Sequence, residues 1–270
     1  MLNVDVKRLR EEGYLLVEDL VPAHQLQAVV DLICEYMQVP ADRTDPDFKR
    51  QRGEVFNGIV PLHQHQALWD ARQSPKVHEA FSQIYDTPKL WVTIDRVSYK
   101  PKLSTRSTAK KGDANSIHVD RPVLDTSDSS VQGILYLSDT EEDQGAFECI
   151  PEIYRDIVAG RRTGVERGET FEKHDIHRVP GPAGSMVIWD GNMPHSSGHN
   201  WTDTPRFVQY ITMHPEGDEA TRQERIQNWQ DRRAPTRWRN MLNQEDPEPW
   251  TEPASLTSLG EQLLGSRAWD

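Results

Sequence analysis

Two periodicities alternate along this chain. Apolar residues recur at helical spacing in residues 4–12, in the run Leu26, Val29, Val30, Ile33 and Cys34 that follows Pro22, and in residues 63–85. Gly13 stops the first of these helices, Met37 closes the second, and Pro75 divides the third stretch in two, with Ser74 as the N-cap of its second half. Between and after them the pattern switches to strands. Tyr14–Val17 is short and apolar, and Lys89–Lys100 (KLWVTIDRVSYK) reads as one long strand. Gln132–Leu137, Gly145–Ile150 and Met186–Trp189 read as buried strands, and Arg206–Met213 alternates as a half-buried one. Ser138–Gln144 is an acidic turn, PGPAG at 180–184 is a second turn, and Asp190-Gly191-Asn192 is a third. The strands between about 117 and 214 are numerous enough for two packed antiparallel sheets. Residues 152–173, with Arg155, Arg161, Arg162 and Arg167, read as an insertion. After Pro215 the strands end. Glu219–Arg232 and Leu256–Leu264 have helical patterns without an independent core. The expectation is a mainly β fold with flanking helices in one domain over 1–270. Helices and first strands occupy 1–115, a β core 116–214, and a helical tail packed on that core 215–270.

Composition narrows the function. A chain of 270 residues with 36% hydrophobic and 27% charged residues can bury a sizeable core and needs no membrane. Its net charge of −12 argues against a broad nucleic-acid or anionic-membrane surface. Cys34 and Cys149 have no partner at metal or redox spacing, so no disulfide framework is indicated. No apolar run approaches a membrane span and no leader pattern opens the chain, so the expected location is cytoplasmic. The charge cluster from Asp42 to Arg52 reads as a solvated loop.

The chemistry concentrates in two places. In Ser116-Ile117-His118-Val119-Asp120, residues i and i+2 of an extended chain share a face, so His118 and Asp120 can reach one metal ion. His195 can close the set from another strand. Two imidazoles and one carboxylate on one side of a metal leave positions open, the arrangement suited to non-heme Fe(II) rather than to a closed structural zinc site. His63 and His65 form a second His-x-His, rejected because no carboxylate or third ligand is recognisably placed beside it.

Beyond His195 stand Ser197, Gly198, Asn200 and Arg206, giving H-x-S-G-x-N-x5-R. With His118-x-Asp120 upstream, and with Gly145–Pro151 matching a G-x-(L/F)-x-x-x-P strand, the chain resembles the phytanoyl-CoA dioxygenase-like family over roughly Gly13 to His214. It departs from that family after Pro151, where Glu152-Ile153-Tyr154-Arg155 replaces the usual G-S-H. The resemblance implies a double-stranded β-helix (the jelly-roll or cupin architecture) and an Fe(II)- and 2-oxoglutarate-dependent dioxygenase using molecular oxygen. It implies that His118, Asp120 and His195 ligate the metal, that Arg206 clamps the distal carboxylate of 2-oxoglutarate, and that Ser197 donates a hydroxyl to the same carboxylate. Tyr136 and Gln132 are further candidates for lining that pocket, and Asn200 for fixing the loop. Trp189 reads as core. The expected reaction is hydroxylation of a small-molecule metabolite with release of succinate and CO2. Desaturation or ring closure would use the same residues. A carboxylate at 120, where halogenating relatives carry Gly or Ala, argues against halide at the metal. Two other readings share the fold, a metalloenzyme that does not use 2-oxoglutarate and a non-catalytic binding protein. Lys102, Arg106, Lys110 and Lys111 in the polar segment 101–116, with Arg121 after the His-x-Asp, fit a solvated basic loop and equally a lid over an anionic or strongly polar substrate.

Overall fold

The computed structural model describes residues 2–39, 58–105, 107–113, 115–120, 130–165, 169, 171, 173–239 and 244–270. The charge cluster at 42–52 and the sequence candidates Arg106, Arg121 and Arg167 lie outside them. The helices are α1 (Val6–Glu12), α2 (Ala23–Met37), α3 (Gln66–Arg72), α4 (Pro75–Tyr85), α5 (Pro151–Val158), α6 (Glu219–Gln230) and α7 (Ser258–Leu264). The strands are β1 (Tyr14–Val17), β2 (Ile59–Val60), β3 (Leu90–Val92), β4 (Val97–Lys100), β5 (Val131–Tyr136), β6 (Phe147–Cys149), β7 (His177–Val179), β8 (Met186–Asp190), β9 (His195–Ser197), β10 (Arg206–Tyr210) and β11 (Met213–Pro215).

The strands form a larger sheet in the order β1-β8-β5-β10-β4-β2, a smaller one in the order β7-β6-β9, and a separate β11-β3 pair. All pairings are antiparallel. His118 extends the smaller sheet through an isolated bridge to His195. Alternation decides what each face meets. Ile134 and Tyr136 of β5, Val187 and Trp189 of β8, and Val208 of β10 pack against Phe147 and Cys149 of β6 and Val179 of β7. The two sheets thus face each other across a common interior. The opposite face of the larger sheet, with Leu15, Val97, Leu135, Ile188 and Phe207, packs on Val29 and Ile33 of α2, Leu68 of α3 and Val77 and Phe81 of α4. This is the jelly-roll arrangement, mainly β with helices on one side.

Helix ends follow the sequence signals. Gly13 takes a left-handed φ of 80° and its N–H bonds the Leu9 carbonyl. A Cβ there would sit 2.5 Å from Met193 Cε and from Tyr154 Cδ1, so glycine is needed for the close approach as well as the turn. Pro75 opens α4 after Ser74, although the Ser74 hydroxyl bonds the Leu20 carbonyl rather than capping the helix.

The structure corrects three expectations. Residues 89–100 are not one strand. β3 pairs with β11 while β4 pairs with β10, and Thr93–Arg96 makes the transition. The 206–213 stretch breaks at the same level. Tyr210 N bonds Arg96 O, and Thr93 N bonds Thr212 O, so both partners leave the larger sheet together. Asp95 fixes the bend, because its Oδ1 accepts from Arg96 N at 2.8 Å and from Arg96 Nη1 at 2.6 Å. The insertion after Pro151 opens with α5, whose Ile153, Tyr154 and Ile157 are buried. Pro at the first helical position favours that start.

The tail is tied down by polar groups. Buried Arg225 donates to the carbonyls of Val92, Leu263 and Leu264, satisfying the C-terminal end of α7. Glu248, 3% exposed, accepts from the backbone N–H groups of His63 and Gln64 and from Trp250 Nε1. Among the described residues, no helix is long and apolar enough to cross a membrane.

Candidate active site

His118, Asp120 and His195 meet at the open end of the interior. One ligand atom from each lies within 4.8 Å of the others, and this is the one such His/Cys/Asp/Glu group among the described residues. Asp120 Oδ1 is 3.4 Å from His118 Nε2, and Oδ2 is 3.6 Å from His195 Nε2. The His118–His195 bridge supplies the spacing, since it sets the two chain segments side by side. Each imidazole places Nδ1 2.9 Å from the carbonyl two residues back, Ser116 for His118 and Met193 for His195. An Nδ1–H donated there leaves both Nε2 atoms as acceptors facing Asp120 and free to bind a metal. Ser116 adopts a left-handed φ of 57° to present its carbonyl, a strained conformation for a residue with a Cβ.

The triad is asymmetric. The His195 side chain is 8% exposed and packs against the rings of Trp189 and Phe147, at 4.9 and 5.8 Å between centroids. Burial pushes its pKa down to about 4, so it is neutral and ready to ligate at physiological pH. His118 is 54% exposed, and the hydrogen bond that its protonated form donates to Asp120 raises its pKa. The same bond, with the neighbouring His195 and Gln132, holds the Asp120 carboxyl well below the usual range. Gln132 Nε2 donates to Asp120 Oδ2 at 2.6 Å. Gln132 thus orients the carboxylate of the candidate metal-binding group. Trp189 is core, as its apolar strand implied, and also packs against the His195 ring of the candidate metal group.

A second polar group lies deeper between the sheets. Arg206 is 1% exposed, and its Nε and Nη1 have no hydrogen-bond partner among the described residues. Burial lowers its pKa. Lys100 is the cross-strand neighbour of Arg206. Its Nζ donates to Ser197 Oγ at 2.7 Å and to the carbonyls of Ser197 and Gly198 at 2.9 Å. Two cations and a hydroxyl therefore converge, and two of the guanidinium nitrogens lack an acceptor. A buried charge with unmet donors is costly, so the cluster is shaped for an anion. Gly145, at φ 78°, makes room for it, because a Cβ would approach Lys100 Cδ to 3.0 Å and Gly198 O to 3.1 Å. Tyr136 is buried nearby, but its hydroxyl is committed, donating to Val179 O at 2.6 Å and accepting from Phe147 N at 3.0 Å. It braces β5 against β6 and β7. Asn200 Nδ2 donates to the carbonyls of Lys100 and Thr204, closing the turn between β9 and β10.

Of the other candidates, Lys102 pairs with Asp203 and Lys111 with Asp143 at exposed positions, so their charge is met on the surface. His65 caps α3 through Nδ1, and His63 is fully buried beside Asp95.

The sequence matches the family model described as phytanoyl-CoA dioxygenase (PhyH) over residues 9–208. The chain belongs to the phytanoyl-CoA dioxygenase family. Membership makes it an oxygenase of the non-heme iron, 2-oxoglutarate-dependent kind. Among curated relatives, the Ava biosynthesis cluster protein O of Aspergillus versicolor is 22% identical over 237 residues, covering 76% of this chain and 75% of that one. A phytanoyl-CoA dioxygenase-type protein of Dictyostelium discoideum is 30% identical over 95 residues, covering 32% of this chain and 27% of its own length. Among solved structures, the epimerase SnoN in complex with Fe3+, alpha ketoglutarate and nogalamycin RO has a TM-score of 0.55 at 16% identity, covering 93% of this chain and 94% of SnoN. GlcNAc Inducible Gene 2 of Candida albicans has a TM-score of 0.69 at 13% identity over 98% of this chain and 76% of that one. These structural likenesses establish the shared fold.

Two residues of the site escaped sequence reasoning. Lys100 read only as the polar end of a strand, and its register opposite Arg206 needs the β4–β10 pairing. Glu148 looked like an ordinary strand residue between two apolar ones. It is fully buried on the outer side of β6, where it accepts from Ser196 Oγ, Arg178 Nε and Asn115 N. Its carboxylate fastens the segment leading to His118 onto the smaller sheet.

Proposed function

We propose that this protein is a hydroxylase of a small-molecule substrate, in which His118, Asp120 and His195 hold Fe(II) and Arg206 receives the distal carboxylate of 2-oxoglutarate. The reaction would couple R–H, 2-oxoglutarate and O2 to R–OH, succinate and CO2. The bound iron and cosubstrate supply the oxidising chemistry, and the chain supplies ligands, orientation and exclusion of water. The observation that carries the reading is the buried guanidinium of Arg206, with Nε and Nη1 unmatched among the described residues. A planar guanidinium offers a carboxylate two parallel, charge-assisted hydrogen bonds. Lys100 adds a second positive charge beside Ser197, which stands where the family's motif places a hydroxyl. Glu148, Gln132 and the two backbone carbonyls at Nδ1 fix the ligands so that metal binding requires little rearrangement. Trp189 and Phe147 keep water from the inner side of the metal.

Hydroxylation is favoured over halogenation by Asp120, which gives the metal a third protein ligand. SnoN is described as an epimerase, so the outcome of the oxidation needs its own test. Anaerobic titration of the Fe(II) protein with 2-oxoglutarate is expected to give saturable binding, followed on admission of labelled dioxygen by one labelled oxygen in succinate and one in product. Saturable iron binding with no 2-oxoglutarate binding would exclude the reading. A product without label would exclude hydroxylation.

A further inference from the structure

The inner face of the larger sheet carries a third cation that the metal and cosubstrate reading does not use. β4 and β10 pair with Lys100 opposite Arg206 and Ser98 opposite Val208. The pairing continues one step further, since Tyr210 N bonds Arg96 O. Arg96 therefore lies on the same face as Lys100, four residues or roughly 13 Å away along the strand. Its cross-strand neighbour Tyr210 is opposite Ile134 of β5, two residues from Gln132, the side chain that bonds Asp120. Two strand spacings and two residues separate the backbones of Arg96 and Gln132, roughly 12 Å. Arg96 thus flanks the metal centre from β4, at a strand level between Gln132 and the cosubstrate cations. Burial lowers its pKa, but Asp95, Tyr210 and more weakly Asp120 outweigh burial and raise it, so the guanidinium stays charged.

Arg96 is also held rigidly. Its side chain is 14% exposed, and its guanidinium carbon lies 4.5 Å from the Tyr210 ring centre and 4.0 Å from that of Trp238, which the C-terminal tail brings in. Asp95 takes Nη1 at 2.6 Å, but Asp95 is shared with Arg237, whose Nη2 is 3.5 Å away. One carboxylate faces two guanidinium groups. Arg96 Nε and Trp238 Nε1 are both buried donors with no hydrogen-bond partner among the described residues. Two unmet donors beside an excess positive charge require an acceptor, and an anionic one is worth most.

We propose that Arg96, with Trp238 and Arg237, forms the substrate subsite, and that the substrate carries a carboxylate or phosphate group bound there. This subsite rests on the hydroxylase reading for what happens at the metal. Anion recognition then falls to a residue inside the fold rather than to the paired surface lysines Lys102 and Lys111. The separation of the subsite from the triad places the oxidised C–H bond a few bonds from the anionic group.

The test uses the full chain loaded with Zn(II) and 2-oxoglutarate, with 15N-labelled arginine side chains. The two rings stacked on Arg96 shift its Nε–H resonance, and Trp238→Leu, which removes one of them, identifies it. The probes are phenylacetate, inorganic phosphate and the neutral isostere phenylacetamide. Saturable movement of the Arg96 resonance with either anion, and none with the amide, is the expected result, and which anion binds more tightly separates carboxylate from phosphate recognition. Arg96→Gln is expected to weaken that binding by about tenfold or more. Silence of the Arg96 resonance to both anions, or an equal response to the amide, would overturn the proposal. The Arg206 Nε–H resonance reports separately on 2-oxoglutarate. If it ignores the cosubstrate while Arg96 responds to the anions, the cosubstrate assignment fails and the subsite stands.

Discussion

Replacing Arg206 by methionine has two opposite consequences that can be read in one thermal experiment. In the ligand-free protein the guanidinium is 1% exposed, and Nε and Nη1 have no acceptor among the described residues. Methionine fills similar volume without a charge to desolvate, so the ligand-free variant should melt at a higher temperature than wild type. With 2-oxoglutarate the order reverses. Removing one member of a buried ion pair costs about 3–5 kcal/mol, equivalent to a loss of affinity of roughly 200-fold or more. At a concentration about 100 times its dissociation constant, 2-oxoglutarate stabilises the wild type by about 2.7 kcal/mol. For a chain of this size that is a rise of roughly 5–10 °C. The same concentration would stabilise Arg206→Met by only about 0.2 kcal/mol, a rise of less than about 1 °C. Differential scanning calorimetry of the Zn(II)-loaded proteins with and without 2-oxoglutarate gives all four values. A variant that melts lower than wild type without ligand, and still gains the wild-type increment with it, would show that Arg206 is a structural cation and that the carboxylate binds elsewhere.

Four further outcomes follow from the candidate metal group. Gln132→Leu removes the hydrogen bond to Asp120 Oδ2 and should weaken metal binding about 10–100-fold, measured by chelator competition, while the secondary structure is unchanged. Metal affinity should fall with acidification in two stages: His118, with its pKa raised by Asp120, releases a proton on binding as soon as the pH drops below that value, and His195 adds a second proton only near pH 4. In the metal-free protein the sign is reversed, because a raised His118 pKa contributes stability that is complete below about pH 6.5 and fades as pH rises through the folded value; exposure of both partners keeps this below about 1 kcal/mol. Asp120→Ala should lose Fe(II) affinity and product formation together, and chloride should not restore turnover as halogenation, because Gln132 loses its acceptor in the same variant; mass spectrometry of products formed in chloride buffer checks this.

Residue spacing brought part of the candidate site into view, and the family resemblance supplied the rest. His118 and Asp120 share a face because an extended chain alternates, and the resemblance carried by H-x-S-G-x-N-x5-R pointed to Ser197 and Arg206 as candidates. Helix ends were legible where a residue's backbone preference is strong, at Gly13 and Pro75. What escaped depended on which strands pair. Lys100 and Arg96 looked alike in sequence, two basic residues on one strand. Only the register with β10 places Lys100 against Arg206 and Arg96 against Tyr210. The break at Thr93–Arg96 was hidden because Val, Thr and Ile favour extended backbone throughout, while the bend is made by Asp95 bonding its own neighbour. Helix α5 was hidden by its charged face, which masked the buried Ile153, Tyr154 and Ile157. The basic segment 101–116 suggested a substrate contact from charge alone, and charge alone could not show that Asp203 and Asp143 meet Lys102 and Lys111.

Binding of Fe(II) through His118, Asp120 and His195, and consumption of 2-oxoglutarate in an oxidation, meet their most direct test in one measurement. That measurement is succinate release by the purified protein in the presence of Fe(II), 2-oxoglutarate and oxygen, with and without a library of carboxylated and phosphorylated metabolites. Succinate is expected to form slowly with the cosubstrate alone, to require iron, to accelerate with the right metabolite, and to disappear in His195→Ala. Absence of succinate from a protein shown to hold iron at the triad, or succinate formed equally well by His195→Ala, would contradict this assignment.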